Sequence, residues 1–125
     1  MYFREPIIAV TLASPAGYER REALIDTGSE LSLFDEWIAL SLGLDLERLP
    51  PVTLSGVGGL LREARLAQVT LMLLDRNELR ATLDVAFAAD VELTLGNLIG
   101  LDVLEHFDFG LSHRERLGYL GRAAT

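Results

Sequence analysis

The stretch that decides the fold is Ala23-Leu24-Ile25-Asp26-Thr27-Gly28-Ser29-Glu30-Leu31-Ser32-Leu33-Phe34. An apolar run ends on an acid, Asp26, which Thr-Gly-Ser follows at once. The chain then turns apolar again at Leu31, Leu33 and Phe34. Taken alone, Asp-Thr-Gly is ordinary turn chemistry: Asp bonds backbone two residues on, and Gly accepts positive φ. The neighbours point elsewhere. An acid set between two core segments is expected to be partly buried, where an unpaired carboxylate is costly. The hydroxyls of Thr27 and Ser29 bracket it and can hold its geometry.

Working outward, Ile7–Ala13 and Tyr18–Ile25 read as two strands joined by a turn at Pro15 and Gly17. Asp35 to Gly43 reads as a short helix that Asp35 caps and Gly43 ends. Pro50-Pro51 breaks the chain. Val52–Leu54 and Leu66–Leu74 then flank a glycine-rich tip, Gly56-Val57-Gly58-Gly59. Leu83–Phe87 alternates as a half-buried strand does, and Glu92–Leu95 reads as another short strand. Asn97-Leu98-Ile99-Gly100 leads into a helical face at Val103, Leu104 and Phe107, where Asp102 and Glu105 have capping-box spacing. Phe107–Leu111 and Arg116–Leu120 read as closing strands, and the tail from Gly121 as a weak strand candidate. The sum is an all-β fold, mainly β with one or two short helices, in the form of a small closed antiparallel barrel.

The totals set the limits. The 125 residues are half apolar, which is enough for one domain to bury a core; the whole of 1–125 is taken as that domain, with its core at about 7–120. The absence of cysteine removes disulfides and thiolate chemistry and favours a reducing compartment. All eleven basic residues are arginine, so Schiff-base chemistry and a P-loop lysine are excluded. A net charge of −8 repels phosphate backbones and anionic lipid, so neither nucleic acid nor a membrane is expected as partner. The start reads as strand and turn rather than signal peptide, and the expected location is cytoplasmic. His106 and His113 are too few and too separate for a metal site. No cofactor is implied.

Together, Asp26-Thr27-Gly28-Ser29, the glycine-rich hairpin and Leu98-Ile99-Gly100 before a short helix resemble a retropepsin-like aspartic protease, over about residues 7 to 120. The helix after the motif resembles bacterial members and the protease domain of ubiquitin-shuttle proteins more than viral enzymes. The resemblance implies an acid-protease barrel and an endopeptidase that activates water between two carboxylates sharing one proton. With one Asp-Thr-Gly per chain, it implies a homodimer in which each chain gives one Asp26. It assigns Thr27 to a grip across the two-fold axis and Gly28 to a close backbone approach. Ser29 is expected to bond the outer oxygen of Asp26, which favours the ionised form and an acidic optimum. Glu30 is placed at the cleft floor, against substrate backbone. Val57, Gly58 and Gly59 are placed in a flap over a peptide or protein substrate, and Leu24, Val57 and Ile99 along the cleft.

The likeness departs at Leu101, where viral relatives often carry an arginine that braces the acid at the place of Glu30. Two other readings of the fold stand beside the protease. One is a silent peptide-binding or dimerisation module, and the other a barrel closed around a small molecule.

Overall fold

The computed structural model describes residues 1–55 and 61–123. Its strands are β1 (Tyr2–Phe3), β2 (Ile7–Ser14), β3 (Gly17–Ile25), β4 (Leu33–Asp35), β5 (Pro51–Ser55), β6 (Leu61–Leu73), β7 (Arg80–Ala88), β8 (Asn97–Ile99), β9 (Phe107–Ser112) and β10 (Leu117–Arg122). The helices are α1 (Glu36–Ser41) and α2 (Leu101–Leu104), with a 3-10 turn at Leu46–Arg48.

Strand alternation builds the barrel. In β2, Ile8, Val10 and Leu12 point inward; Ala67, Val69, Leu71 and Leu73 of β6 meet them from the far side. The sheet runs β2-β3-β8-β4-β7-β6, and β2 pairs with β6 to close it into a six-stranded barrel. Closure pairs β2 and β6, which would otherwise be open edges, and leaves β5, paired with β6 alone, as a strand outside the ring. The expected all-β closed barrel is therefore present. Most pairings are antiparallel, but β3–β8 and β4–β7 are parallel. Those two parallel pairings set Ile25 beside Ile99 and Leu33 beside Ala86, segments far apart in sequence. A separate three-stranded sheet, β1-β10-β9, carries both ends of the described chain. Gly121 and Arg122 belong to β10, where the sequence suggested only a weak strand.

The C-terminal half of β7 is buried on both faces. Val85 and Phe87 enter the main core, while Ala86 and Ala88 join Leu33, Ala64 and Val91 in a second, smaller cluster. Leu54 and Leu98 pack on the same cluster, which forms the bed of the cleft described below.

Helix α1 is set as its sequence suggests. The Asp35 carboxylate accepts from the Trp37 N–H at 3.0 Å. At the other end Gly43 takes φ +72°, its N–H bonding Leu40 and that of Leu44 bonding Ala39, which is a Schellman ending. Two expectations fail. Glu92–Leu95 is a turn rather than a strand. The N–H groups of Thr94 and Gly96 both bond Val91 O, and the Glu92 N–H is taken by Asp35 Oδ2 at 2.8 Å, so no ladder can form. The capping box of Asp102 and Glu105 is also absent. Gly100 is the N-cap of α2, and Asp102 lies inside the first turn, bonded elsewhere.

Candidate active site

The site begins where β3 runs out. Beside the Ile25↔Ile99 pairing of β3 and β8, the Asp26 N–H donates to Ile99 O at 2.8 Å. The chain then turns: the Ser29 N–H donates to Asp26 O at 3.2 Å, and the Gly28 N–H to Asp26 Oδ1 at 3.0 Å. A backbone donor aimed at one carboxylate oxygen fixes the side-chain rotamer and leaves Oδ2 without a protein hydrogen bond among the described residues. Asp26 is part-buried and opens on a cleft of about 770 Å³.

Behind this turn lies the β8–α2 segment. The Leu101 N–H donates to Ser29 O at 2.9 Å and the Asp102 N–H to Glu30 O at 3.1 Å. Gly100 fits between them only because it lacks a side chain. A Cβ there would lie 2.7 Å from Ser29 O and 2.8 Å from the Leu31 carbonyl carbon and oxygen. Ser32, fully buried, completes the joint. Its Oγ accepts from the Gly100 N–H at 2.8 Å and donates to Asp102 Oδ1 at 2.7 Å. Asp102 Oδ1 also accepts from the N–H groups of Ser32 and Val103. Three donors on one carboxylate oxygen make a strong joint, and Asp102 Oδ2 is buried without a partner among the described residues.

A second brace stands to one side. Asp35, buried, links α1 to the turn after β7, while its own N–H donates to Asn97 Oδ1 at 3.0 Å. Asn97 Nδ2 donates in turn to Glu92 Oε2 at 3.1 Å. Arg21 joins the same group, with Glu19 Oε2 at 2.8 Å and Glu92 Oε2 at 3.3 Å. Burial works against the Arg21 charge, but the two glutamates more than offset it and raise its pKa. The 90–96 turn that carries Leu95 to the cleft is thus tied to β3, β4 and β8.

Of the residues singled out in the sequence, Asp26, Gly28, Ser29, Glu30 and Leu24 line this cleft. Thr27 is exposed beside Asp26 on the turn and outside the cleft lining. Two assignments are corrected. The Ser29 hydroxyl bonds Leu31 O at 2.7 Å rather than Asp26, so it stiffens the loop and leaves the acid to the Gly28 N–H. Ile99 is 0% exposed and belongs to the core; strand alternation turns Leu98, its neighbour, to the cleft instead. Val57, Gly58 and Gly59 lie outside the described residues. The sequence reading missed Leu31, Leu33, Leu54, Leu95 and Arg62 as cleft residues. It also missed the Ser32–Asp102 joint, since nothing local marks two residues 70 apart as partners. Among the described residues, no three His, Cys, Asp or Glu side chains group to hold a metal ion.

A closed barrel with an Asp-Thr-Gly turn seated on an Ile-Gly segment is the acid-protease type of fold. The comparison with known families agrees: a family model described as aspartyl protease matches residues 10–103, and the chain belongs to that family, of the retropepsin-like type. No curated protein matches the chain significantly.

Proposed function

We propose that the protein is a homodimeric aspartic endopeptidase in which Asp26 of each chain supplies one carboxylate. The observation that carries this is the Asp26 side chain itself, held by the Gly28 N–H with its second oxygen free of partners among the described residues, at the mouth of a peptide-sized cleft. Membership of the aspartyl protease family supports the same chemistry and a protein or peptide substrate. A single chain carries one Asp-Thr-Gly acid, and Glu30, the other acid on the cleft lining, lies outside that motif. Asp35 and Asp102 face away into structural joints, and no second Asp-Thr-Gly exists. A two-fold axis beside the exposed Thr27 supplies the missing partner at no cost in sequence.

In this reading the paired carboxylates share one proton, because two adjacent negative charges do not both persist. The ionised member takes a proton from water, and the water oxygen attacks the peptide carbonyl. The protonated member donates to the carbonyl oxygen. Breakdown of the tetrahedral centre passes a proton to the leaving amine and restores the pair. Rate therefore falls on both sides of an acidic optimum. The β5–β6 hairpin gives Thr53, Leu54, Ser55 and Arg62 to one wall of the cleft, which supports a flap role for it. One catalytic unit over 1–125 and a cytoplasmic location complete the proposal, the latter supported by the cysteine-free composition.

The test is cleavage of a mixed peptide library from about pH 3 to 8, wild type beside Asp26→Asn, with mass in solution recorded. The proposal expects a wild-type dimer that cleaves and a folded mutant that does not. A dimer that binds peptides and cuts none would favour the silent binding module.

A further inference from the structure

We propose that Arg62 reads a carboxylate on the bound peptide, making this site selective for acidic substrates at one position along the cleft. The inference rests on the peptide-cleft reading above. Arg62 stands near the start of β6, in register with Leu54 of β5, and both residues line the same cleft as Asp26. Most of the other lining is apolar, much of it leucine, and among the described residues the only other charges on it are Asp26 and Glu30. Arg62 is thus the one cation on that lining among the described residues.

Its present partners do not match its capacity. Arg62 Nη1 donates to Ala89 O at 3.3 Å and Nη2 to Thr94 Oγ1 at 3.4 Å, both neutral and both long. The Thr94 hydroxyl already donates to Asp90 O at 2.8 Å. Arg20, Arg21, Arg65 and Arg76 each lie within 4.0 Å of a carboxylate. Arg62 has no such partner among the described residues, although the chain carries 19 acids. A guanidinium held at a cleft wall by weak neutral contacts keeps its planar fork available for a carboxylate, which is a stronger acceptor than a carbonyl or hydroxyl.

The same charges set where an acid is refused. Asp26 and Glu30 repel a substrate carboxylate placed against them, so acid preference is confined to the register that meets Arg62. The carboxylate comes either from an Asp or Glu side chain or from a free C-terminus. In a two-fold dimer each half of the cleft carries one such arginine.

The experiment scans one Glu, Gln or Arg through every position of C-terminally amidated peptides, with matched free-acid versions. Binding is measured on Asp26→Asn protein, where peptides stay intact, and kcat/KM on wild type. The expected result is a preference for Glu over Gln at one position by about 10-fold or more, the scale of hydrogen bonds between charged groups. Arg62→Glu, in both backgrounds, should invert that preference towards Arg at the same position, which loss of a purely structural contact would not do. A preference for Glu over Gln on amidated peptides assigns the carboxylate to a side chain; a preference for free acid over amide, with Glu and Gln handled alike, assigns it to the C-terminus. Equal handling of Glu and Gln at all positions, with free acid and amide also handled alike, overturns the inference, even if cleavage is brisk. Charge-selective binding with no cleavage by wild type upholds the inference and overturns the protease reading instead.

Discussion

Replacing Gly100 with alanine puts a methyl carbon 2.7 Å from Ser29 O and 2.8 Å from two atoms of the Leu31 carbonyl. All three are backbone, so no side chain can swing aside. Gly100 sits at φ −102° and ψ −172°, ordinary extended backbone, so the whole penalty is steric rather than conformational. Overpacking a filled site costs about 1–3 kcal/mol, and rigid neighbours place this one near the top, at about 3 kcal/mol. At about 2.1 cal/mol/K per residue, unfolding 125 residues carries about 0.26 kcal/mol/K. The expected fall in Tm is then about 11 °C, read by thermal melting at one fixed protein concentration because a dimer's Tm depends on it. Gly28→Ala is the matched control. Its only close contact is Asp26 Oδ1 at 3.3 Å, the end of a side chain that can turn. It should leave Tm within about 2 °C of wild type while lowering activity, by disturbing the acid's rotamer. Gly100→Ala with a Tm that close to wild type would refute the claim that the loop rests rigidly on the Ile-Gly segment.

Further outcomes follow from the joints around the site. Ser32→Ala strands the buried Gly100 N–H and removes one donor from Asp102, at about 1–3 kcal/mol; urea unfolding should show a lower midpoint at unchanged slope. An unchanged midpoint would mean that the relay through Ser32 carries no stability. Asp35→Ala removes both the cap of α1 and the acceptor of the Glu92 N–H, for about 2–3 kcal/mol, and Asp35→Asn should recover part of it in the same assay. Equal losses in the two variants would count against the cap. For pH, the Arg20 hydrogen bond holds the Asp75 pKa below its ordinary 3.8. A lowered acid contributes stability above its unfolded value and loses it as pH falls through its folded value. The small Tm gap between wild type and Asp75→Asn should therefore narrow as pH falls below 3.8; a gap that does not narrow with falling pH contradicts this.

Local signals were legible in the sequence. Alternation marked β2, β3 and much of β7, and cap chemistry marked both ends of α1. Asp26 was legible because an acid between apolar segments is chemically conspicuous. What failed was long-range. Asp102 has cap spacing with Glu105, but Ser32, from another part of the barrel, offers it better donors. Glu92–Leu95 has strand composition, but Asp35 claims the Glu92 N–H and Val91 O collects the next donors. Ile99 and Leu98 are equally apolar, and only the pairing with β3 decides which one meets the cleft. Nothing in the sequence singles Arg62 out among eleven arginines; the hairpin register sets it opposite Leu54.

The central claim is that one active site takes Asp26 from two chains. Its most direct test mixes wild-type and Asp26→Asn chains, unfolds and refolds them together, and follows cleavage against the wild-type fraction at constant total protein. The account predicts activity that falls as the square of that fraction, because only dimers with two intact acids work. Activity that falls in simple proportion, or that survives in pure Asp26→Asn protein, would contradict it.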